Sequence, residues 1–271
     1  MTYSSVDGLN VELDSAGVLR LTLERPEKRN ALDDGMVSAL IAAVDAAGQD
    51  ETVRVIMLSG AGDHFCGGFD IVGRNQPGGS GQKPRAGSIQ RRLPSQAHRL
   101  IPLLLTVQTP VVCAARGWVA GIGLHLLLAA DVAVVSDDAR LWEPFRDRGF
   151  TPDSGGTWLL TRRIGEVRAR EMLLLGRAVD GAEAADWRLV HGSVPDDQLE
   201  AVAESVVLEL AKGPTVALGL TKWLMHAGAS LTLEEHLRNE AFALELSSRT
   251  EDFREGLTAF KEKRAPDYKG R

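Results

Sequence analysis

The chain has 271 residues, 44% of them hydrophobic, which is enough for a large core. Its 31 basic and 37 acidic residues leave a net charge of −6, which argues against nucleic acid or an anionic membrane surface as the main partner. Any anionic ligand must therefore find a local basic patch.

The N-terminal MTYSSVDGLNVELDSAG lacks the basic-then-apolar pattern of a signal peptide. The longest apolar run, Gly123 to Val135, is broken by His125 and Asp131, so no membrane span is expected. The two cysteines, Cys66 and Cys113, lie in apolar surroundings without the spacing of a metal site or a disulfide framework. A reducing cytoplasm fits, and no metal is expected.

In chain order, Gly17 to Leu23 alternates as a strand does, and Pro26 ends it. Asp33 then opens a helix whose Met36, Val37, Leu40, Ile41 and Val44 share one face, with Gly48 as its stop. Val53 to Ser59 and Pro110 to Ala115 have the length and apolar content of buried strands. A glycine-rich turn leads into a helix near Gly121 to Ala130, then DVAVV reads as another strand, and RLWEPF is strand-like. If that alternation continues, Glu143 and Phe145 share one side of a strand, and Glu143 is expected to be solvated or ion-paired. Between these elements, Gly73 to Ser88 is dense in Gly, Pro, Ser and charge, as a surface insertion or a substrate-gating loop would be. After about Asp196 the strand signals fade into four helical segments near 197–211, 214–227, 232–248 and 250–263.

Three glycine-containing stretches follow strands: GAGDHFCGGFDI from Gly60, RGWVAGIGLHL from Arg116 and RGFTPDSGGTW from Arg148. Glycine there lets the backbone turn tightly and aim N–H groups into a cleft, so two such loops together suit an oxyanion. Asp153, between a proline and a glycine pair, is either a proton-transfer group or the N-cap of the helix beginning near Ser154 or Gly155. Cys66 has no adjacent base and suits a small buried filler.

The ordered stretches LERPEKRNAL, GAGDHFCGGFDI, RGWVAGIGLHLLLAADVAV and GFTPDSGGTWLLTRRIG, with the tail EGLTAFKEKRAPDY, resemble the crotonase (enoyl-CoA hydratase/isomerase) superfamily over nearly the whole chain. The resemblance implies an α/β fold, a spiral of ββα units. Residues 1–195 would form the acyl-CoA-binding catalytic core, and residues 196–271 a helical region completing the site and a trimer interface. It implies homotrimers or dimers of trimers, and coenzyme A as part of a thioester substrate with no tightly bound cofactor.

Carried over by motif, the backbone N–H groups of Phe69 and Ile122 would bind the thioester carbonyl, with Gly121, Trp142 and Phe145 lining the pocket. The usual residue at Ile122 is glycine, so the isoleucine narrows the pocket and keeps the donor. Lys28, Arg29 and Lys263 would meet the anionic end of coenzyme A. The two glutamates of the hydratases align with His125 and Phe145, which makes ordinary two-glutamate hydration doubtful.

The context of Asp153 resembles that of ring-1,2-epoxyphenylacetyl-CoA isomerases of phenylacetate catabolism and of dienoyl-CoA isomerases. A double-bond shift or ring-epoxide isomerisation with Asp153 as acid/base is thus the leading expectation, with His125 as a secondary catalytic candidate. The two alternatives are a divergent enoyl-CoA hydratase of fatty acid β-oxidation, which would be a lyase, and a non-catalytic acyl-CoA-binding protein.

Overall fold

A computed structural model describes residues 2–71 and 85–271. The expected loop Gly73–Ser88 lies outside these residues except for 85–88. The chain order is β1 (Leu9–Leu13), β2 (Val18–Leu23), α1 (Asp34–Ala47), β3 (Val55–Gly60), α2 (Ser88–Arg92), α3 (Ala97–Thr106), β4 (Val111–Ala115), β5 (Trp118–Ala120) and α4 (Ile122–Ala129). There follow β6 (Val132–Ser136), β7 (Arg140–Trp142), α5 (Gly156–Leu174), β8 (Val179–Asp180), α6 (Gly181–Asp186), β9 (Gly192–Val194), and the four helices α7 (Leu199–Ala211), α8 (Thr215–Gly228), α9 (Leu233–Ser247) and α10 (Glu251–Glu262).

The expected α1 forms as its sequence directs. The Asp33 side chain accepts the Met36 N–H, and Met36, Val37, Leu40, Ile41 and Val44 are buried. The six-stranded sheet runs β1-β2-β3-β4-β6-β9, antiparallel only between β1 and β2, and a three-stranded sheet runs β5-β7-β8.

Strand alternation divides the side chains of the large sheet between two cores. Leu19, Leu21, Ile56, Leu58, Val111, Cys113 and Val135 enter the main core with α1, α3 and α4. Val18, Val55, Met57, Val112, Ala114 and Val134 face the other way and meet Leu199, Ala203, Val207 and Ala211, one apolar stripe of α7. The last strand ends at Val194, and α7, beyond it in the chain, covers a face of the sheet.

Helix α8 is tied to the body by Lys222. Its ammonium donates to the carbonyls of Leu104 and Thr109 and pairs with Asp131 at 2.7 Å. Burial pushes the Lys222 pKa down, with Asp131 opposing it.

The strand-like RLWEPF is strand only to Trp142, because Pro144 lacks the N–H a ladder needs. Glu143 and Phe145 consequently lie in a turn beyond β7 rather than on one face of a strand. Helix α4 is buried on every side, so its packing allows little added volume. A methyl group at Gly123 would come within 2.6 Å of Cys66 Cβ and 2.8 Å of the Cys66 carbonyl oxygen.

Gly123→Ala is therefore expected to cost ~1–3 kcal/mol by overpacking. Thermal denaturation would register this as a Tm lowered by several degrees, and an unchanged Tm would show that α4 and the Cys66 segment are not locked together.

Candidate active site

Two backbone segments converge here. Cys66 donates its N–H to the Trp118 carbonyl and accepts from Ala120 N–H, both at 2.9 Å, so residues 66–69 run beside β5. On the opposite flank, Leu32 N–H donates to Gly68 O and Asp70 N–H to Leu32 O, bracketing Phe69. In such a parallel bridge the N–H of the bracketed residue points away from its partner, so that of Phe69 points away from Leu32.

From the other segment, Gly121 turns the chain from β5 into α4 with φ 53°, a conformation that favours glycine. Its own N–H is taken by the Trp142 carbonyl at 3.0 Å. Ile122 is the first residue of α4, where an N–H has no acceptor within the helix and the helix dipole favours negative charge.

His125, one turn further along α4, is wholly buried, with 0% of its surface exposed. Its Nδ1 lies 2.7 Å from Ser154 Oγ and its Nε2 lies 2.9 Å from Glu143 Oε1. Glu143 is only 1% exposed, and its Oε2 has no hydrogen-bond partner among the described residues. The Phe145 ring stacks parallel to the imidazole at 6.0 Å and meets Phe150 edge-on.

Ser154 Oγ donates to Asp153 Oδ1 at 3.1 Å, and the Asp153 carbonyl is 2.6 Å from His98 Nε2 on α3. The 153–156 loop is thus pressed onto α4. A side chain at Gly156 would lie 2.3 Å from His125 Nε2 and 2.7 Å from Glu143 Oε1.

Asp153 does not cap α5. The N-cap is Gly155, with φ 95° and no side-chain cap hydrogen bond, so the carboxylate remains half-buried beside Ser154. The helix-cap alternative is overturned, because a glycine in the left-handed region ends the loop two residues later.

Phe69, Gly121, Ile122, His125, Phe145 and Asp153 are thus drawn into one region by α4 and the segments around it. Trp142 contributes its carbonyl there, while its indole pairs with Trp118 at 5.7 Å and donates to the Gly176 carbonyl. Arg29 is exposed in the left-handed region at φ 51°, its guanidinium 5.9 Å from the Trp118 ring centre. Lys28 pairs with Asp70 at 3.1 Å. Lys263 caps the far end of α10, exposed, with no described contact to Arg29 or to these segments.

Sequence reasoning missed Ser154, His98 and Asn30, and it left Glu143 undecided between solvent and an ion pair. Asn30 is fully buried at φ 54°, accepting Arg25 N–H and donating to the carbonyls of Ala61 and His64, which fixes the Lys28–Arg29 turn against the Cys66 segment. Two signals pointed toward this network: a lone acid among the apolar residues of RLWEPF, and a histidine inside an all-apolar helix. Each buried polar group needs a partner, and each is the other's.

Cys66 is fully buried, and burial pushes its thiol up to about 12. Cys113 is raised well above its ordinary value, by burial first and by neighbouring Cys66 second. Among the described residues no group of three or more His, Cys, Asp or Glu side chains could hold a metal, and no helix is long and apolar enough to cross a membrane.

A six-stranded, mostly parallel sheet beside a three-stranded one, followed by four C-terminal helices, is a fold of the crotonase class. The family model described as enoyl-CoA hydratase/isomerase matches residues 14–271, and the chain belongs to that family. It is 36% identical over 255 residues to the 1,2-epoxyphenylacetyl-CoA isomerase of Escherichia coli, covering 94% of this chain and 96% of that protein. The 2,3-dehydroadipyl-CoA hydratase of the same organism is 31% identical over 254 residues, with 94% and 96% covered. The crystal structure of an enoyl-CoA hydratase from Bacillus anthracis superimposes with a TM-score of 0.89 at 30% identity, covering 97% of this chain and 100% of that one. Isomerases and hydratases both stand among the relatives.

Both thiols are expected to resist a disulfide reagent such as DTNB at pH 8 in the folded protein and to react on unfolding. Rapid modification of folded protein at Cys66 would instead mark a nucleophile.

Proposed function

We propose that the protein shifts a double bond, or isomerises a ring epoxide, in an acyl-CoA thioester. The reaction would run through an enolate bound by the N–H groups of Phe69 and Ile122, with Asp153 as the acid/base. The observation that carries this reading is that Asp153 is released from helix capping and held by Ser154 at the edge of the α4 site.

Removal of a proton alpha to a thioester leaves negative charge on the carbonyl oxygen. Preorganised donors stabilise that charge, each contributing ~3–4 kcal/mol. One carboxylate then suffices: it takes the proton from one carbon, holds it and returns it to another. The 36% identity to a protein named as an epoxyphenylacetyl-CoA isomerase supports this choice of chemistry.

Hydration is disfavoured because it needs a second group to hold and activate water. Phe145 offers no acid, and His125 is buried with both ring nitrogens engaged by protein groups.

Arg29, aided by Lys28 and Lys263, would meet the anionic end of coenzyme A, with no tightly bound cofactor. The exposed Leu233, Phe242 and Phe260 on α9 and α10 support a trimer or dimer of trimers packed through the C-terminal helices. Two buried free thiols suit a cytoplasmic enzyme.

The test is conversion of a 3-enoyl-CoA, with a 2-enoyl-CoA assayed beside it for hydration. Wild type is expected to move the double bond and Asp153→Asn to lose roughly 10²–10⁴-fold in kcat, the range for a positioned acid/base group, while still binding the thioester. Hydration by wild type, or an Asp153→Asn variant with undiminished isomerisation, would overturn the assignment.

A further inference from the structure

The chain of hydrogen bonds behind Asp153 constrains where its protons lie. A serine hydroxyl carries a single proton. For Asp153 to act as a base it must be ionised, and an ionised carboxylate only accepts, so the Ser154 hydroxyl must donate to Asp153 Oδ1 across 3.1 Å. Ser154 Oγ then has no proton left for His125, which lies 2.7 Å away at Nδ1. That short contact is a hydrogen bond only if Nδ1 carries the proton.

On the other side of the ring, Nε2 faces Glu143 Oε1 at 2.9 Å. With Nδ1 protonated, this second bond is made either by an imidazolium donating to a glutamate or by a protonated glutamate donating to Nε2. In both arrangements Glu143 is the group that lets His125 keep its Nδ1 proton.

We infer that Glu143 and His125 act through Ser154 as positioning residues that hold the Asp153 carboxylate oriented as the base, an inference that rests on the acid/base role proposed above for Asp153. The groups are built for one another. His125 and Glu143 are shut from solvent, and the absence of a side chain at Gly156 admits their contact. The other ring packed on His125 is the uncharged Phe145, and the other titratable group touching Asp153 is His98, at the backbone carbonyl. The described hydrogen bonds to the Asp153 carboxylate therefore run through Ser154 alone.

A donor held in place by Nδ1 fixes the orientation of the Asp153 carboxylate, so losing the Ser154 donor, or letting its proton turn to His125, leaves that carboxylate free to rotate. The loss falls on turnover rather than on binding.

The experiment compares wild type, Ser154→Ala and Glu143→Gln. It uses 15N NMR of the His125 ring together with kcat and KM for the 3-enoyl-CoA. Wild type is expected to show a protonated Nδ1. Ser154→Ala should lose roughly tenfold to a hundredfold in kcat with KM within about twofold. The amide of Glu143→Gln can face Nε2 with its N–H or with its carbonyl, so this variant should lose kcat only if its ring spectrum shows the Nδ1 proton lost. A loosened scaffold would raise KM and lower Tm instead.

The inference is overturned by an unprotonated Nδ1 in wild type, by wild-type kcat in folded Ser154→Ala, or by a Glu143→Gln ring that loses its Nδ1 proton at no cost in kcat. Should Glu143→Gln fail to fold, Ser154→Ala decides by itself. If wild type moves no double bond, the acid/base reading fails, while the ring spectrum still decides the hydrogen-bond direction.

Discussion

The contact between His125 and Glu143 is the one on which the site depends. It joins three pieces of chain that have no sequence proximity: the buried helix α4, the turn beyond β7, and the loop ahead of α5. Two polar side chains placed this deep would each be costly alone; removing one partner of a buried pair typically costs ~3–5 kcal/mol because the other is left uncompensated. Together they hold the 153–156 loop against the first turns of α4. That helix begins with Ile122, so these bonds bring the loop that carries Asp153 beside the N-terminal turns of α4.

The second requirement is close backbone approach. The segment from Cys66 to Phe69 is trapped between β5 and the turn at Arg29–Leu32, with Asn30 buried as the clasp. Glycines at 121, 123 and 156 admit these approaches where a side chain would collide or the backbone would be strained. The result is close backbone packing where the proposed oxyanion would be met by fixed dipoles, which is where preorganisation matters most for rate. Charge on the outer face is looser: Lys28 is already paired with Asp70, and Arg29 rests against Trp118.

Much of this was legible in the residues. The α1 pattern, the buried strands around Val55 and Val111, and the four C-terminal helices carry their own periodicity or apolar runs, and α1, α9 and α10 carry side-chain N-caps at Asp33, Thr232 and Thr250. The edge strands β5, β8 and β9, of two or three residues each, are too short to display alternation. The run RLWEPF misled because its apolar alternation continues past Trp142, while Pro144 forbids the ladder. Asp153 could not be distinguished from an N-cap by its neighbours; the outcome turned on Gly155 taking the left-handed conformation. Glu143 and His125 were each conspicuous, but their pairing is a tertiary fact, made 18 residues apart across two sheet connections.

Hydratase chemistry needs two acids, and this chain keeps neither aligned position: a histidine wedged by Glu143 and Ser154 occupies one, and the Phe145 ring stacked on that histidine occupies the other. In the proposed reading, the half-buried Asp153 carboxylate and a pair of backbone donors are the working groups, a set suited to moving a proton from one carbon to another. The central claim is that those donors polarise the thioester carbonyl. Isotope-edited infrared spectroscopy of a saturated acyl-CoA carrying 13C at the carbonyl tests it most directly. The carbonyl stretch should move to lower frequency on binding than in water, and a band unshifted from its solution value would contradict an oxyanion hole at Phe69 and Ile122.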